Sequence, residues 1–299
     1  MAMAINLYSH VQVIPKNGSG VSVTADIPLR FLPGTSRSST VTDPGELLRP
    51  LQLAAEATLK HIASNDGALQ VSVECEIPVA AGLGSSASTT VAIISAVARS
   101  KGIELSKRKI FELAFVPENF LHGKPSGVDQ ATCIYGSMIQ FSRPSTVKTV
   151  RPKKDPVFLV CDTGIHHATR TLVGGVVQKS KKEKKDFQNY LAEVREISTG
   201  VARSLRVGDD EDLGTLMYQN HELLRKIGVS HPQLDHLVEA ARRAGALGAK
   251  LTGAGGGGCV IVLSPSRVAR DRIARVLGRE GGTPYKISMD TSGVESQPA

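Results

Sequence analysis

Five of the six positions from Gly253 to Gly258 are glycine, and strand-like segments bound the run, Ala249 to Thr252 before it and Cys259 to Leu263 after it. A hairpin turn needs one or two glycines. Each further one costs about 0.5–1 kcal/mol of backbone entropy relative to alanine, so the run implies that something approaches its backbone closely. A merely loose turn is the alternative. A second glycine-rich segment, Pro78-Val-Ala-Ala-Gly82-Leu-Gly84-Ser85-Ser86-Ala87-Ser88, sits between two different periodicities. Before it, Val71, Val73, Cys75 and Ile77 alternate with Ser72, Glu74 and Glu76, the pattern of a half-buried strand. After it, Val91, Ile94, Val97 and Ala98 share one helical face, and Gly102 is placed to end the helix. A helix start offers unpaired N–H groups and partial positive charge, so this turn can hold an anion. Serines also cap helices, and spacing alone does not separate the two roles. No Gly-Lys-Ser or Gly-Lys-Thr comes after the glycines, which excludes a Walker A loop.

Between the glycine segments lies Pro117-Glu118-Asn119-Phe120-Leu121-His122-Gly123-Lys124-Pro125-Ser126-Gly127-Val128-Asp129-Gln130. Singly, Glu118 is a surface acid and Asp129 a turn or cap residue. Two carboxylates flanking a proline- and glycine-stiffened loop would meet two needs of phosphoryl transfer, one binding magnesium and one accepting a hydroxyl proton. Spacing secures neither role.

The other elements are read from pattern. The opening predicts a hairpin, Tyr8 to Val13 and Val21 to Ile27 about a turn over Pro15 to Gly20. Pro33 to Pro44 reads as a loop and Pro50 to Ala63 as a helix. A helix from Ser106 to about Phe115 is followed by a polar loop, then a strand from Cys133 to Phe141. The polar, proline-bounded stretch Pro144 to Pro156 marks a domain boundary, giving domains 1–150 and 151–299. Beyond it come a strand (Val157 to Asp162), a long helical region (about Ala168 to Ala244), the two strands flanking the glycine run, a helix (about Arg267 to Leu277) and a strand (Tyr285 to Met289). With the helical region collapsed, the order is β-α-β-β-α-β, the ferredoxin-like order of an α+β domain.

Composition removes several function classes. The 41% hydrophobic and 21% charged content of 299 residues suits a globular chain with real cores. Apolar stretches such as Val91 to Ala98 fall far short of the roughly 20 residues of a membrane span. No basic segment leads into a hydrophobic one at the N-terminus, so a cytoplasmic protein is expected. The net charge of +8 admits anionic ligands and nucleic acid alike. Its densest cluster, Lys179 to Lys185, is broken by Glu183 and reads as a solvated helix face. Aromatics at 4%, with no tryptophan, supply no base-stacking surface. The cysteines (Cys75, Cys133, Cys161, Cys259) lie far apart with no metal-ligand spacing and are expected to be reduced thiols.

Together, PVAAGLGSSAS, FVPENFLHGKPSGVDQ and KLTGAGGGGCV resemble, in order, the three motifs of the GHMP small-molecule kinases. The middle one is worded as in the branch that phosphorylates mevalonate. The resemblance implies an α/β (α+β) two-domain fold, with a ribosomal S5 domain 2-like N-terminal domain containing a left-handed crossover and a ferredoxin-like C-terminal domain. Carried over by motif position, Gly82, Leu83, Gly84, Ser85, Ser86, Ala87 and Ser88 would cradle the ATP phosphates. Ser86 and Glu118 would bind Mg2+, Asp129 would deprotonate the substrate hydroxyl, and Gly253, Ala254, Gly255 and Gly256 would brace the phosphates. The implied reaction turns ATP and mevalonate into ADP and 5-phosphomevalonate, a step towards isoprenoid precursors. Alternatives are another small-molecule kinase of the family, acting on a sugar or phosphomevalonate, and a catalytically impaired ATP-binding sensor. The sequence does not fix the oligomeric state; a homodimer is one option. Neither nucleic acid nor membrane is an expected partner.

The chain departs from the family at its opening. Family members begin with a strand and turn worded approximately P-x-K-V-I-L-F-G-E-H, and the opening Met3-Ala-Ile-Asn-Leu-Tyr of this chain resembles the family segment just after that motif. Pro15-Lys16 falls in the expected hairpin turn and is not accepted as its substitute. An internal start is the favoured explanation, a complete but altered kinase the other. In the family that opening motif supplies a lysine near the catalytic aspartate and a histidine near the substrate, so the chain as given is expected to turn over weakly. Were it fully active instead, Lys124 would be the first candidate for a relocated charge.

Overall fold

Alternation of Val71, Val73 and Cys75 against polar neighbours makes a strand that can accept partners on both edges, and this strand organises the first half of the chain. The structure, a computed structural model, describes residues 1–27, 39–41, 48–63, 67–78, 81–122, 125–142, 146–165 and 169–297. Lys124 and most of the loop expected between Pro33 and Pro44 lie outside the described residues. The chain divides into two compact units, one of Ala2–Val79, Gly84–Lys148 and Asp290–Ala299, the other of Met1, Ala80–Leu83 and Thr149–Met289.

The first eleven elements are β1 (Ala2–Met3), β2 (Ser9–Lys16), β3 (Gly20–Ile27), β4 (Ser39–Val41), α1 (Arg49–His61), β5 (Ala68–Cys75), α2 (Ser85–Ser100), α3 (Lys107–His122), α4 (Val128–Tyr135), β6 (Met138–Ser142) and β7 (Thr146–Val150). The expected opening hairpin does not form. Instead β5 lies between β2 and β3, antiparallel to the first and parallel to the second, in a sheet ordered β2-β5-β3-β4. Val71, flanked by Val13 and Val23, is fully buried. A central place gives the most apolar of these strands both ladder partners and a covered face, which outweighs sequence adjacency. Lys16 ends β2 opposite Ala68 and is exposed, so it lies in a strand rather than a turn.

Two further expectations are corrected by the structure. The helix that begins after Ser106 does not stop near Phe115 but continues through Pro117 to His122. Proline removes a single N–H, and the helix retains the rest of its ladder. Cys133 opens no strand; it lies inside α4, and the strand starts at Met138.

The second half continues with β8 (Val157–Asp162), α5 (Thr169–Lys182), α6 (Lys184–Val207), α7 (Asp210–Ile227), α8 (Pro232–Arg243), β9 (Gly248–Leu251), β10 (Cys259–Ser264), α9 (Arg267–Arg279) and β11 (Thr283–Lys286). The sheet is wholly antiparallel, in the order β11-β8-β10-β9. In chain order its strands stand 4-1-3-2, the ferredoxin-like arrangement anticipated from the pattern. Leu234, Leu237 and Ala241 of α8 and Ile273 and Leu277 of α9 bury one face of that sheet against Leu159, Leu251 and Val260. Among the described residues no helix is long and apolar enough to cross a membrane.

Candidate active site

Ser85 opens α2, and Gly84 before it adopts a left-handed backbone with φ 76°. A Cβ built on Gly84 would stand 3.6 Å from the Cβ of Asp129. Glycine therefore both forms the turn and leaves room beside that carboxylate. Asp129 sits in the first turn of α4, where the helix N-terminus favours negative charge. The chain's approach to it is set by Gly127, with φ 87° and Phe111, Phe115 and Phe141 crowding the position a side chain would take. The Ser126 hydroxyl accepts the N–H of Val128 at 3.2 Å. Asp129 is exposed, which leaves its carboxylate open to a ligand.

Glu118 is only 5% exposed, and its Oε1 accepts a hydrogen bond from the Ser86 hydroxyl at 2.5 Å. Such a charge-assisted contact is the strong kind. It exists because α3 continues past Pro117 and carries Glu118 over the first turn of α2. A hydroxyl and a carboxylate in contact are hard oxygen donors of the sort that suit Mg2+, which takes one or two protein oxygens and completes its shell with phosphates and water. The residues thus fit the ion. Among the described residues no cluster of three or more histidine, cysteine or acidic side chains offers a competing metal site.

Cys133 was not singled out from the sequence, yet it belongs to this site. Burial pushes its thiol up to about 12, and the Asp129 and Glu118 carboxylates add to the rise. The thiol is also hydrogen-bonded to Ser88. Its place four residues after Asp129, on the same helical face, was the available signal, hidden because the segment reads as a strand.

The second glycine run is explained in large part by its own chain. In the unit that holds both, Gly82 and Gly253 meet backbone to backbone: a Cβ on Gly253, where φ is 77°, would stand 2.8 Å from the Gly82 Cα. The Gly256 N–H donates to the Val229 carbonyl at 2.8 Å and the Gly258 N–H to the Ile165 carbonyl at 2.6 Å. The Gly258 carbonyl accepts from both the N–H and the hydroxyl of Thr163, at 2.9 and 2.8 Å. Thr163 was another residue the sequence did not mark. A side chain at Gly253 or Gly258 would strike protein backbone and one at Gly256 the Leu172 side chain, so close approach is required, and part of what approaches is the protein itself.

Comparison with known proteins bears on the whole chain. Residues 49–137 match the GHMP kinases N terminal domain model and residues 201–283 the GHMP kinases C terminal model. Mevalonate kinase of Thermococcus onnurineus is 34% identical over 254 residues, 83% of this chain and 75% of the relative. Mevalonate kinase of Pyrococcus horikoshii is 36% identical over 255 residues, 83% and 74% of the two chains. Among solved structures, L. major mevalonate kinase in complex with R-mevalonate superposes with a TM-score of 0.82 at 27% identity, covering 98% of this chain and 89% of that one. The Methanococcus jannaschii mevalonate kinase gives 0.78 at 26% identity, covering 96% and 90%. With both family domains present in order and relatives of this similarity aligned along most of its length, the chain belongs to the GHMP kinase family.

Proposed function

We propose that this chain transfers the γ-phosphoryl group of ATP to the hydroxyl of mevalonate, giving 5-phosphomevalonate and ADP. The observation that carries the chemistry is the pairing of Glu118 with Ser86 at the start of α2, beside a turn whose Gly84 abuts Asp129. The substrate rests on relatives named mevalonate kinase at 34% and 36% identity.

Asp129 accepts the proton of the attacking hydroxyl as the oxygen forms its bond to phosphorus and the bond to the ADP oxygen breaks. Positioning and charge supply most of the acceleration in such transfers. The amides and hydroxyls of Gly84 to Ser88 hold phosphate oxygens at the α2 N-terminus, and Gly82, Leu83, Gly253, Ala254, Gly255 and Gly256 contribute further backbone contacts to the nucleotide. Ser86 and Glu118 would hold Mg2+, which when bound neutralises charge on the β- and γ-phosphates. Cys133 stays a neutral thiol beneath the carboxylates. The four cysteines are all free, which suits a reducing compartment, and we place the reaction in the cytoplasm.

The test is a substrate panel. ADP release by the purified chain is measured with R-mevalonate, phosphomevalonate, galactose and homoserine. Mevalonate should give the highest kcat/KM by about 100-fold or more, because buried polar groups left unmatched discriminate strongly. A higher value for any other acceptor would overturn the assignment.

A further inference from the structure

We propose that His221 is a positioning residue of the phosphoryl transfer, holding the strand that feeds the glycine run by accepting the edge N–H of Leu251. This role rests on the function proposed above for Gly253 to Gly256.

β9 is the edge strand of its sheet. The Thr252 N–H donates to the Cys259 carbonyl, so ladder bonds to β10 recur at alternate residues and the N–H and C=O of Leu251 face outward. Both outward groups are taken by side chains. Nδ1 of His221 accepts the Leu251 N–H at 3.3 Å, and Nζ of Lys250 donates to the Leu251 carbonyl at 2.5 Å. An edge that would otherwise be open is closed at the last residue of β9, two positions before Gly253.

α7 is built to deliver that histidine. Gly214 and Gly248 meet with no space for a side chain, a Cβ on Gly248 falling 2.5 Å from the Gly214 Cα. From Gly214 to His221 the helix rises about 10.5 Å, and from Gly248 to Leu251 the strand advances about 10 Å. The matched distances bring His221 to Leu251 once the glycines touch.

The imidazole is oriented from its far side. Nε2 stands 3.2 Å from Oδ1 of Asp235, close though not aligned for a hydrogen bond. Asp235 is itself fixed by the Ser230 hydroxyl at 2.5 Å and by Nε of Arg225 at 3.1 Å. Since Leu251 must donate to Nδ1, the proton sits on Nε2, towards the carboxylate. Burial holds the imidazole below its usual range, which keeps Nδ1 an acceptor. Val229, next to Ser230, accepts the Gly256 N–H, so the corner between α7 and α8 grips the glycine segment at two points, before it and within it. His221 touches no reacting atom and acts through the backbone.

The experiment compares His221→Leu with His221→Asn, whose Oδ1 can replace Nδ1 as the acceptor. Two readouts are taken, amide hydrogen exchange across residues 250–258 and steady-state kinetics with ATP and mevalonate. His221→Leu should speed exchange of Leu251 and the glycine amides and raise the KM for ATP, each about tenfold, the factor one net hydrogen bond supplies. The KM for mevalonate should stay within about twofold, and His221→Asn should restore most of both readouts. Unchanged exchange and KM in His221→Leu would overturn the proposal. So would an Asn variant as impaired as Leu, or one that fails to fold, since the ring's bulk rather than its acceptor would then be what matters. If the unaltered protein does not phosphorylate mevalonate, the functional assignment fails, while the exchange readout still decides whether His221 holds Leu251.

Discussion

Glu118 is a buried carboxylate that accepts a hydrogen bond from the Ser86 hydroxyl, and a carboxylate and hydroxyl held together in this way suit the binding of a hard metal ion. Glu118→Gln keeps the shape and an acceptor for Ser86 but removes the charge. We expect the magnesium concentration for half-maximal rate to rise about tenfold or more, because a neutral oxygen binds a hard cation less strongly. A magnesium titration at fixed ATP measures this, and an unchanged midpoint would remove Glu118 from metal binding. Both carboxylates could be picked from the sequence because they flank one stiff, glycine-containing segment. Their geometry could not. Pro117 reads as the end of a helix, whereas the continuing helix is what sets Glu118 over Ser86. Cys133 was missed for a related reason: Cys-Ile-Tyr is apolar and β-prone, and only the turn at Gly127 shows that a helix begins there.

At the scale of elements, the approach of α7 to β9 sets two general tendencies against each other. Alanine in place of a helix-interior glycine gains about 1 kcal/mol from propensity. At Gly214, however, a Cβ would strike the Leu247 carbonyl, and overpacking of this kind costs about 1–3 kcal/mol. A strike on backbone cannot be relieved by a side-chain rotation, so the upper part of that range applies. Gly214→Ala is therefore expected to destabilise its unit by about 1–2 kcal/mol net, read from urea unfolding. Stabilisation would show that α7 can move off the strand. The second sheet was legible because its strands are short apolar runs punctuated by glycine and polar turns, and their succession with the helices follows the β-α-β-β-α-β pattern, although only β9 and β10 pair as sequence neighbours. The first sheet was not, since the hydrophobic pattern marks β2, β3 and β5 as strands without saying which is central. Placing β5 between the other two is decided by burial of Val71, a tertiary effect.

For the whole molecule, the proposed function is transfer of the phosphoryl group of ATP to mevalonate, with Asp129 proposed to take the proton. Three motifs made that claim visible in the sequence, whereas the network that supports the second glycine run, from Thr163, Val229 and His221, was not visible, since these residues are brought to it from well outside the motif. Phosphorus NMR of the protein with ATP, magnesium and R-mevalonate tests the claim most directly, because it tracks where the phosphoryl group goes and tolerates slow turnover. A new phosphomonoester resonance should grow in step with ADP, and Asp129→Asn should slow its growth by about 10²–10⁴-fold while ATP still binds. Formation of ADP without a mevalonate ester, or an ester formed at an undiminished rate by the Asn variant, would contradict it.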